Sequence, residues 1–329
     1  MQGLEIGGGN GIILKYRGKK VALDPLSDPK ADIIFISHAH FDHLSKASNS
    51  IILTSKETQY IAKERNFYLE NTRDELEGFE LINSGHILGS KALRIYREIL
   101  YTGDFCLRDR AFLRKGIVKN CDVLIIESTY GRKEFVFPST AKIIDDVNRL
   151  IADLFSKGVP VILMGYPLGK AQALSYLFSN WEPIYLYESV RKMNRLYINL
   201  GIELKEFKSY SEAKEKNLLN RKPWILIAPL RSLKKGVLAQ IKKKYKAVSI
   251  GFTGWALNKS YKYMMGLDHA FPLSDHCDFN ELNTLVKLAN PRKIYTVHGY
   301  ASDFASHLRS LGHDAEALVG VQTCMTDYF

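Results

Sequence analysis

The sequence predicts an α/β protein of two domains, and three observations carry that expectation. Short apolar runs end in a polar residue again and again, helical spacings alternate with strand-like runs through the middle of the chain, and 329 residues at 46% hydrophobic and 25% charged can fill full-sized cores. Intrinsic disorder, collagen and small disulfide scaffolds are thereby excluded. The four cysteines, Cys106, Cys121, Cys277 and Cys324, include no C-x-x-C pair and are too sparse for a disulfide framework, so they read as reduced and mostly buried in a cytoplasmic protein. Residues 1–15 have no signal-peptide pattern, and no apolar run approaches eighteen residues, so a membrane span is not expected.

Taken in order, residues 7–11 form a glycine-rich turn, 12–15 and 21–24 are strand-like, and 32–37 is a buried strand that ends beside a histidine cluster. Residues 99–104 and 122–127 repeat this design, placing Asp104 and Glu127 where α/β sheets carry their chemistry. A helix fits 140–156, because Ile143, Ile144, Val147, Leu150, Ile151, Leu154 and Phe155 keep helical spacing until Gly158 and Pro160 stop it. A strand at 161–164, helices at 169–178 and 188–200, a strand at 224–228, a Lys-studded helix at 233–245 and a strand at 247–252 then suggest a second α/β domain. Helix 275–288, strand 293–297 and helix 304–311 close the chain.

The charge has an address. The net +11 comes almost wholly from residues 216–267, which hold twelve Lys or Arg and no acid, while the remainder is close to neutral with 34 basic against 35 acidic residues. A face without acids suits a polyanion, since ordinary solvated faces mix signs. Lys234, Lys235, Lys242, Lys243, Lys244 and Lys246 are the expected nucleic-acid contacts, and Trp224, Tyr245, Phe252, Trp255, Tyr261 and Tyr263 lie among them.

Residues 37–43 read Ser-His-Ala-His-Phe-Asp-His, placing three histidines and an aspartate within six residues. Imidazoles this close would repel if charged, and a metal ion holds them neutral. Nitrogen with carboxylate oxygen suits Zn²⁺, and Mn²⁺ or Fe²⁺ less well; the lack of thiols argues against a structural zinc finger. Further ligands are expected at His86, Asp104 and His298, each beside a glycine that lets the backbone approach closely, with Asp24 as an acceptor orienting a ligand histidine.

This ordered set, His-x-His-x-Asp-His, a later His, a Gly-Asp and a final His-Gly, resembles the metallo-β-lactamase superfamily. The resemblance implies a four-layer αβ/βα fold with two divalent metals, most simply Zn with Mn as the alternative: His38, His40 and His86 at one, Asp42, His43 and His298 at the other, and Asp104 between them. An insertion before the last histidine, Glu127 in Ile126-Glu-Ser-Thr-Tyr-Gly131, His276 in Phe271-Pro-Leu-Ser-Asp-His-Cys-Asp-Phe279, and Gly251-Phe-Thr-Gly-Trp-Ala256 are similar to the β-CASP nucleases. Domains are accordingly expected at 1–158, 159–264 (the β-CASP insertion) and 265–329. Taken singly, Glu127 is a strand-end carboxylate and His276 a helix cap. By resemblance they pair, with Asp42, as catalytic residues: a hydroxide bridging two metals is expected to attack phosphorus, His276 to protonate the leaving oxygen, and Ser274 or nearby backbone N–H groups to contact the phosphate.

The third-motif histidine resembles RNA-processing members, whereas residues 298–315 and the Gly-Lys-Ala-Gln run at 169–172 resemble compact DNA exonucleases associated with ligases. DNA is the favoured substrate and RNA the alternative, with DNA-repair or RNA-processing proteins as the implied partners. A small-molecule ester or lactone hydrolase would share the metal ligands without needing Glu127, His276 or a basic insertion.

Overall fold

The computed structural model describes residues 4–8, 11–45 and 49–318. Gly9 and Asn10 of the expected first turn, and Cys324, lie outside them. The chain divides into two compact units. Of the described residues, the first unit comprises those from 4 to 109, Leu113–Val136 and those from 276 to 318; the second comprises Arg110–Phe112 and Phe137–Asp275.

The first unit opens with six strands whose spatial order is their chain order: β1 (Glu5–Gly7), β2 (Ile12–Tyr16), β3 (Lys19–Leu23), β4 (Ile33–Phe35), β5 (Ile51–Leu53) and β6 (Thr72–Arg73). The first three are antiparallel and the rest parallel. A second sheet begins with β7 (Phe79–Asn83), β8 (Lys91–Ile95), β9 (Ile99–Tyr101) and β10 (Val123–Glu127). The chain then forms the whole sheet of the second unit: β11 (Val161–Gly165), β12 (Ile184–Leu186), β13 (Lys208–Ser209), β14 (Ile225–Pro229), β15 (Val248–Phe252) and β16 (His269–Phe271), in the order 13-12-14-11-15-16 with every pair parallel. It returns as β17 (Lys293–Val297) and β18 (Ala315–Ala317), giving 18-17-10-9-8-7 in the second sheet.

Side-chain alternation explains the layers. Leu14, Val21, Leu23, Phe35 and Leu53 of the first sheet interdigitate with Leu93, Ile99, Tyr101, Val123, Ile125 and Val297 of the second in one dry core. Ala22, Ile34 and Ile52 point the other way, onto Ala62 of the helix Lys56–Glu64, while Leu100, Leu124, Ile126 and Ile294 meet Leu282, Leu285, Val286, Phe304 and Leu308 of the helices Phe279–Ala289 and Ala301–Ser310. The result is an αβ/βα arrangement of four layers. In the second unit Ile162, Met164, Leu226 and Ala228 face one helical layer, and Val161, Leu163, Ile225 and Ile227 face the other.

Several elements differ from expectation. Both expected domain boundaries, 158/159 and 264/265, lie within the second unit, because the helix Thr140–Ser156 buries Ile143, Val147 and Ile151 with Val161 and Leu163, and β16 pairs with β15. The Lys-studded helix starts at Val237 instead of residue 233: Gly236 stands at φ +93°, which leaves Lys234 and Lys235 in the preceding loop. Residues 275–278 are not helical; Asp278 is the extended N-cap of Phe279–Ala289, with Glu281 completing a capping box. The hairpin β7–β8 had no clear alternation to announce it. Among the described residues, no helix is long and apolar enough to cross a membrane.

Candidate metal centre

Strand ends of the first unit supply the candidate ligands. The loop after β4 carries His38, His40, Asp42 and His43, the β7–β8 turn carries His86, and Asp104, Glu127 and His298 end or follow β9, β10 and β17. Asp24, just beyond β3 at φ +42°, ties the first loop down. Its carboxylate accepts from the Ser37 backbone N–H at 2.7 Å, the Ser37 hydroxyl at 2.6 Å and the Tyr101 hydroxyl at 2.8 Å, and its Oδ2 lies 2.8 Å from His43 Nδ1. That bond places the His43 proton on Nδ1 and leaves Nε2 to face inward. Ser37 Oγ, having given its proton to Asp24, lies 2.9 Å from His38 Nδ1 and does the same for that ring.

The inward atoms converge. His38 Nε2 lies 2.9 Å from His40 Nδ1, and His86 Nε2 lies 3.3 Å from it. Asp104 Oδ2 lies 3.4 Å from His38 Nε2, 3.3 Å from His86 Nε2 and 3.6 Å from His43 Nε2. His38, His40, His86 and Asp104 form a group whose ligand atoms all lie within 4.8 Å of one another. Asp42, His43 and His298 converge less tightly, with His43 Nε2 3.9 Å from Asp42 Oδ2 and the His43 and His298 ring centres 5.7 Å apart. His298 Nε2 is buried with no hydrogen-bond partner.

An orphaned buried imidazole nitrogen beside imidazoles and carboxylates is what a divalent cation satisfies, and the donor set fits one. Electrostatics agrees: burial, then the neighbouring histidines, push the His38 pKa well down, and burial pushes His298 down to about 4, keeping both rings neutral as ligands must be. Burial also raises Asp104 to about 6, against the pull of His43 and His276. For His43 burial acts downward, but Asp104, Asp24 and Asp42 outweigh it and raise the ring to about 10.

Glu127 and His276 form a second constellation on the same carboxylate. His276 Nδ1 lies 3.0 and 3.1 Å from the two Glu127 oxygens, which also accept from the Thr129 hydroxyl at 2.6 Å and the Phe105 N–H at 2.7 Å. Glu127 is fully buried, yet its pKa is lowered, because His276 and these donors outweigh the effect of burial. His276 Nε2 points back to Asp104 Oδ2 at 3.9 Å, and Asp104, Glu127 and His276 are themselves close enough to hold an ion.

Sequence reasoning missed the residues that fix this loop. Arg108 donates to the His276 carbonyl at 2.6 Å and pairs with Glu281, whose carboxylate accepts the Asp278 N–H at 3.0 Å; Cys277 N–H reaches the Phe105 carbonyl at 2.7 Å. A lone Arg far from the turn in sequence carries no such signal. Of the glycines, Gly103 (φ +52°) matters through packing on the ligand loop, since a Cβ there would stand 2.7 Å from Ser37 Cβ.

Comparison with known proteins agrees with this geometry. Residues 268–318 match the family described as Zn-dependent metallo-hydrolase RNA specificity domain. The chain is 33% identical over 306 residues to a probable DNA ligase of Opitutus terrae, covering 86% of this chain and 28% of that protein. It is 24% identical over 350 residues to an RNase J-like protein of Methanocaldococcus jannaschii, covering 84% and 83%, and 27% identical over 265 residues to cleavage and polyadenylation specificity factor 73 of Drosophila melanogaster, covering 57% and 38%. This chain belongs to the β-CASP branch of the metallo-β-lactamase superfamily. It spans little more than a quarter of the first of these relatives and most of the second.

In this β-CASP protein the basic segment lies wholly in the second unit. Lys234, Lys235, Lys243, Lys244 and Lys246 are exposed there. Lys242 is not available in the same way: its Nζ pairs with Asp268 Oδ2 at 2.8 Å, an acid just beyond the acid-free run. Among the interleaved aromatics Trp224, Tyr245, Phe252 and Tyr261 are core residues, Trp255 is half-buried and Tyr263 is exposed. Ser274 is buried in the second unit.

Proposed function

We propose that this β-CASP protein is a metal-dependent nuclease that hydrolyses phosphodiester bonds, with DNA as its first substrate. The observation that carries this reading is the sharing of Asp104: one carboxylate belongs both to the histidine group and to the Glu127–His276 pair, so a proton-bearing imidazole is fixed beside a metal nest. A small-ester hydrolase needs the nest and not the pair.

His38, His40 and His86 would hold one ion, Asp42, His43 and His298 a second, and Asp104 both, with Zn²⁺ as the first choice and Mn²⁺ as the alternative. Such ions, when bound, polarise a phosphoryl oxygen and acidify water at neutral pH. The protein's own groups do the rest. Glu127 accepts a hydrogen bond from His276 Nδ1–H, and its negative charge stabilises the doubly protonated ring, whose second proton sits on Nε2, the nitrogen turned to the centre, for delivery to the leaving oxygen. Asp42, at the ligand loop, completes the catalytic set, and Ser274 and the exposed lysines at 234, 235, 243, 244 and 246 hold the phosphate backbone. Lys242 is left out of that set because Asp268 already neutralises it.

The likeness to a probable DNA ligase, the highest identity among these relatives, supports DNA, while the RNA specificity match at 268–318 and the RNase J-like relative favour RNA as a second reading. The deciding experiment incubates the metal-loaded chain with single- and double-stranded DNA and RNA, each labelled at either end. Ladders from DNA in preference to RNA support the proposal; ladders from RNA alone move it to the second reading. No cleavage of any strand alongside turnover of a small ester would refute it.

A further inference from the structure

Phe41 sits between His40 and Asp42 in the ligand loop, yet 59% of it is exposed. It opens the 3₁₀ turn Phe41–His43, whose last residue is buried, so the turn drives one side chain inward and the other out. Leaving a phenyl ring in water forgoes the stabilisation that burial gives such a side chain. The ring is nevertheless held in place. The Arg65 guanidinium lies 3.7 Å from the Phe41 ring centre, and its Nη1 donates to the carbonyl of Ala39, two residues back in the same loop. Arg65 itself ends the helix Lys56–Glu64, which packs on the first sheet. The structure therefore presents an aromatic surface at the rim of the candidate centre, backed by a cation and anchored at both ends.

From this geometry we infer that Phe41 is a stacking platform for an unpaired nucleobase next to the phosphate being cleaved, with Arg65 fixing the ring and adding positive charge for the backbone. Aromatic rings stack on any base, while a paired base keeps its faces inside the duplex. The site therefore selects single strands or frayed ends without reading sequence. This inference rests on the nuclease reading above and adds the strandedness of the substrate.

The test crosses a protein variant with a substrate lesion. The full-length, metal-loaded chain is given an end-labelled single strand containing one abasic residue, and cutting at the phosphates flanking the lesion is compared with the same phosphates in the intact strand. The wild-type chain should cut beside the lesion about 5- to 150-fold less efficiently, the range expected when one base–aromatic stack is removed. Phe41→Ala should show that same loss on the intact strand and be indifferent to the lesion, with metal content unchanged. Phe41→Leu, which keeps apolar bulk without an aromatic face, should behave like Phe41→Ala, and Phe41→Trp should restore cutting with its fluorescence quenched on binding. Wild-type efficiency in Phe41→Ala, or a lesion penalty of undiminished size in that variant, would overturn the inference. A wild-type chain that cuts no nucleic acid at all would overturn the nuclease reading and this inference with it.

Discussion

Replacing Glu127 by Gln tests the division of labour in the proposed site, because the amide keeps the shape of the carboxylate and changes what it can accept. The Glu127 carboxylate receives three donors: the Phe105 N–H at 2.7 Å, the Thr129 hydroxyl at 2.6 Å and His276 Nδ1–H at 3.0 Å. The backbone donor cannot turn, so the amide oxygen must stay at Phe105. Thr129 can rotate its hydroxyl to accept from the new NH₂ group. The loss then falls on His276, whose ring exchanges a charged acceptor for the neutral amide oxygen that remains 3.1 Å away. Bonds to charged groups are worth about 1.5–3 kcal/mol and neutral ones about 0.5–1.5, and the difference of about 1–1.5 kcal/mol corresponds to a fall in kcat of about 5- to 13-fold. Removing the proton donor itself in His276→Ala should cost about 10² to 10⁴. Because Glu127 acts through His276, the double variant should be no slower than His276→Ala alone. The assay is single-turnover cleavage of an end-labelled strand at saturating protein, with bound metal counted in each variant. Losses that add in the double variant, or a His276→Ala protein that has lost metal, would refute the assignment, the second because Asp104, Glu127 and His276 can themselves surround an ion.

Arg108→Ala, which frees the His276 carbonyl and Glu281, should lower kcat about 10- to 100-fold with KM and metal content unchanged, and Arg108→Lys should recover part of it; an unchanged kcat would show that the loop holds itself. In the second unit Asp275 accepts from buried Lys170 at 2.7 Å and from buried Arg110, so Asp275→Asn leaves two buried cations without that carboxylate and should cost about 3–5 kcal/mol in denaturant unfolding, against less for Lys170→Met, where Arg110 remains paired. Neutralising Lys234, Lys235, Lys243, Lys244 and Lys246 together should weaken nucleic-acid binding and flatten its salt dependence by about one unit of slope for each phosphate no longer neutralised, whereas Lys242→Ala should lower thermal stability with little effect on that slope. Burial raises the Cys121 thiol to about 12 and that of Cys277 well above its ordinary value, so thiolate is scarce at these two at pH 8, while Cys106 is shielded from reagent by burial alone; peptide mapping after alkylation of the native protein should find all three unmodified, and modified once the chain is unfolded.

The parts of the centre that could be read from sequence share a physical cause. His38, His40, Asp42 and His43 are packed into one loop because that loop leaves the end of a buried strand, and an apolar run followed by dense polar side chains is visible in a single chain. The helix Thr140–Ser156 was equally plain, since its apolar stripe is unbroken and its stop is marked by Gly158. What was hidden depends on partners distant in sequence or on backbone angles. Lys242 looked like its neighbours until the fold placed Asp268 against it, and Lys234 and Lys235 looked helical until Gly236 took a positive φ. Arg108 and Glu281 are 173 residues apart, and nothing local to either announces the clamp on His276. Asp275 to Asp278 carries helix-compatible residues, but the chain bends at Asp275 and His276 and only Asp278, the N-cap, is extended, so the helix starts after His276 has met Glu127.

The central claim is that phosphodiester cleavage requires metal in the nest around Asp104. Its most direct test is to strip the chain with a chelator, return Zn²⁺ or Mn²⁺ in measured equivalents, and follow cutting of an end-labelled strand alongside metal bound per chain. Cleavage should be absent from the stripped protein, return as metal is added, level off near two ions per chain, and fail to return in Asp104→Ala at any loading. Cleavage by the stripped chain, or full recovery in Asp104→Ala, would contradict the account.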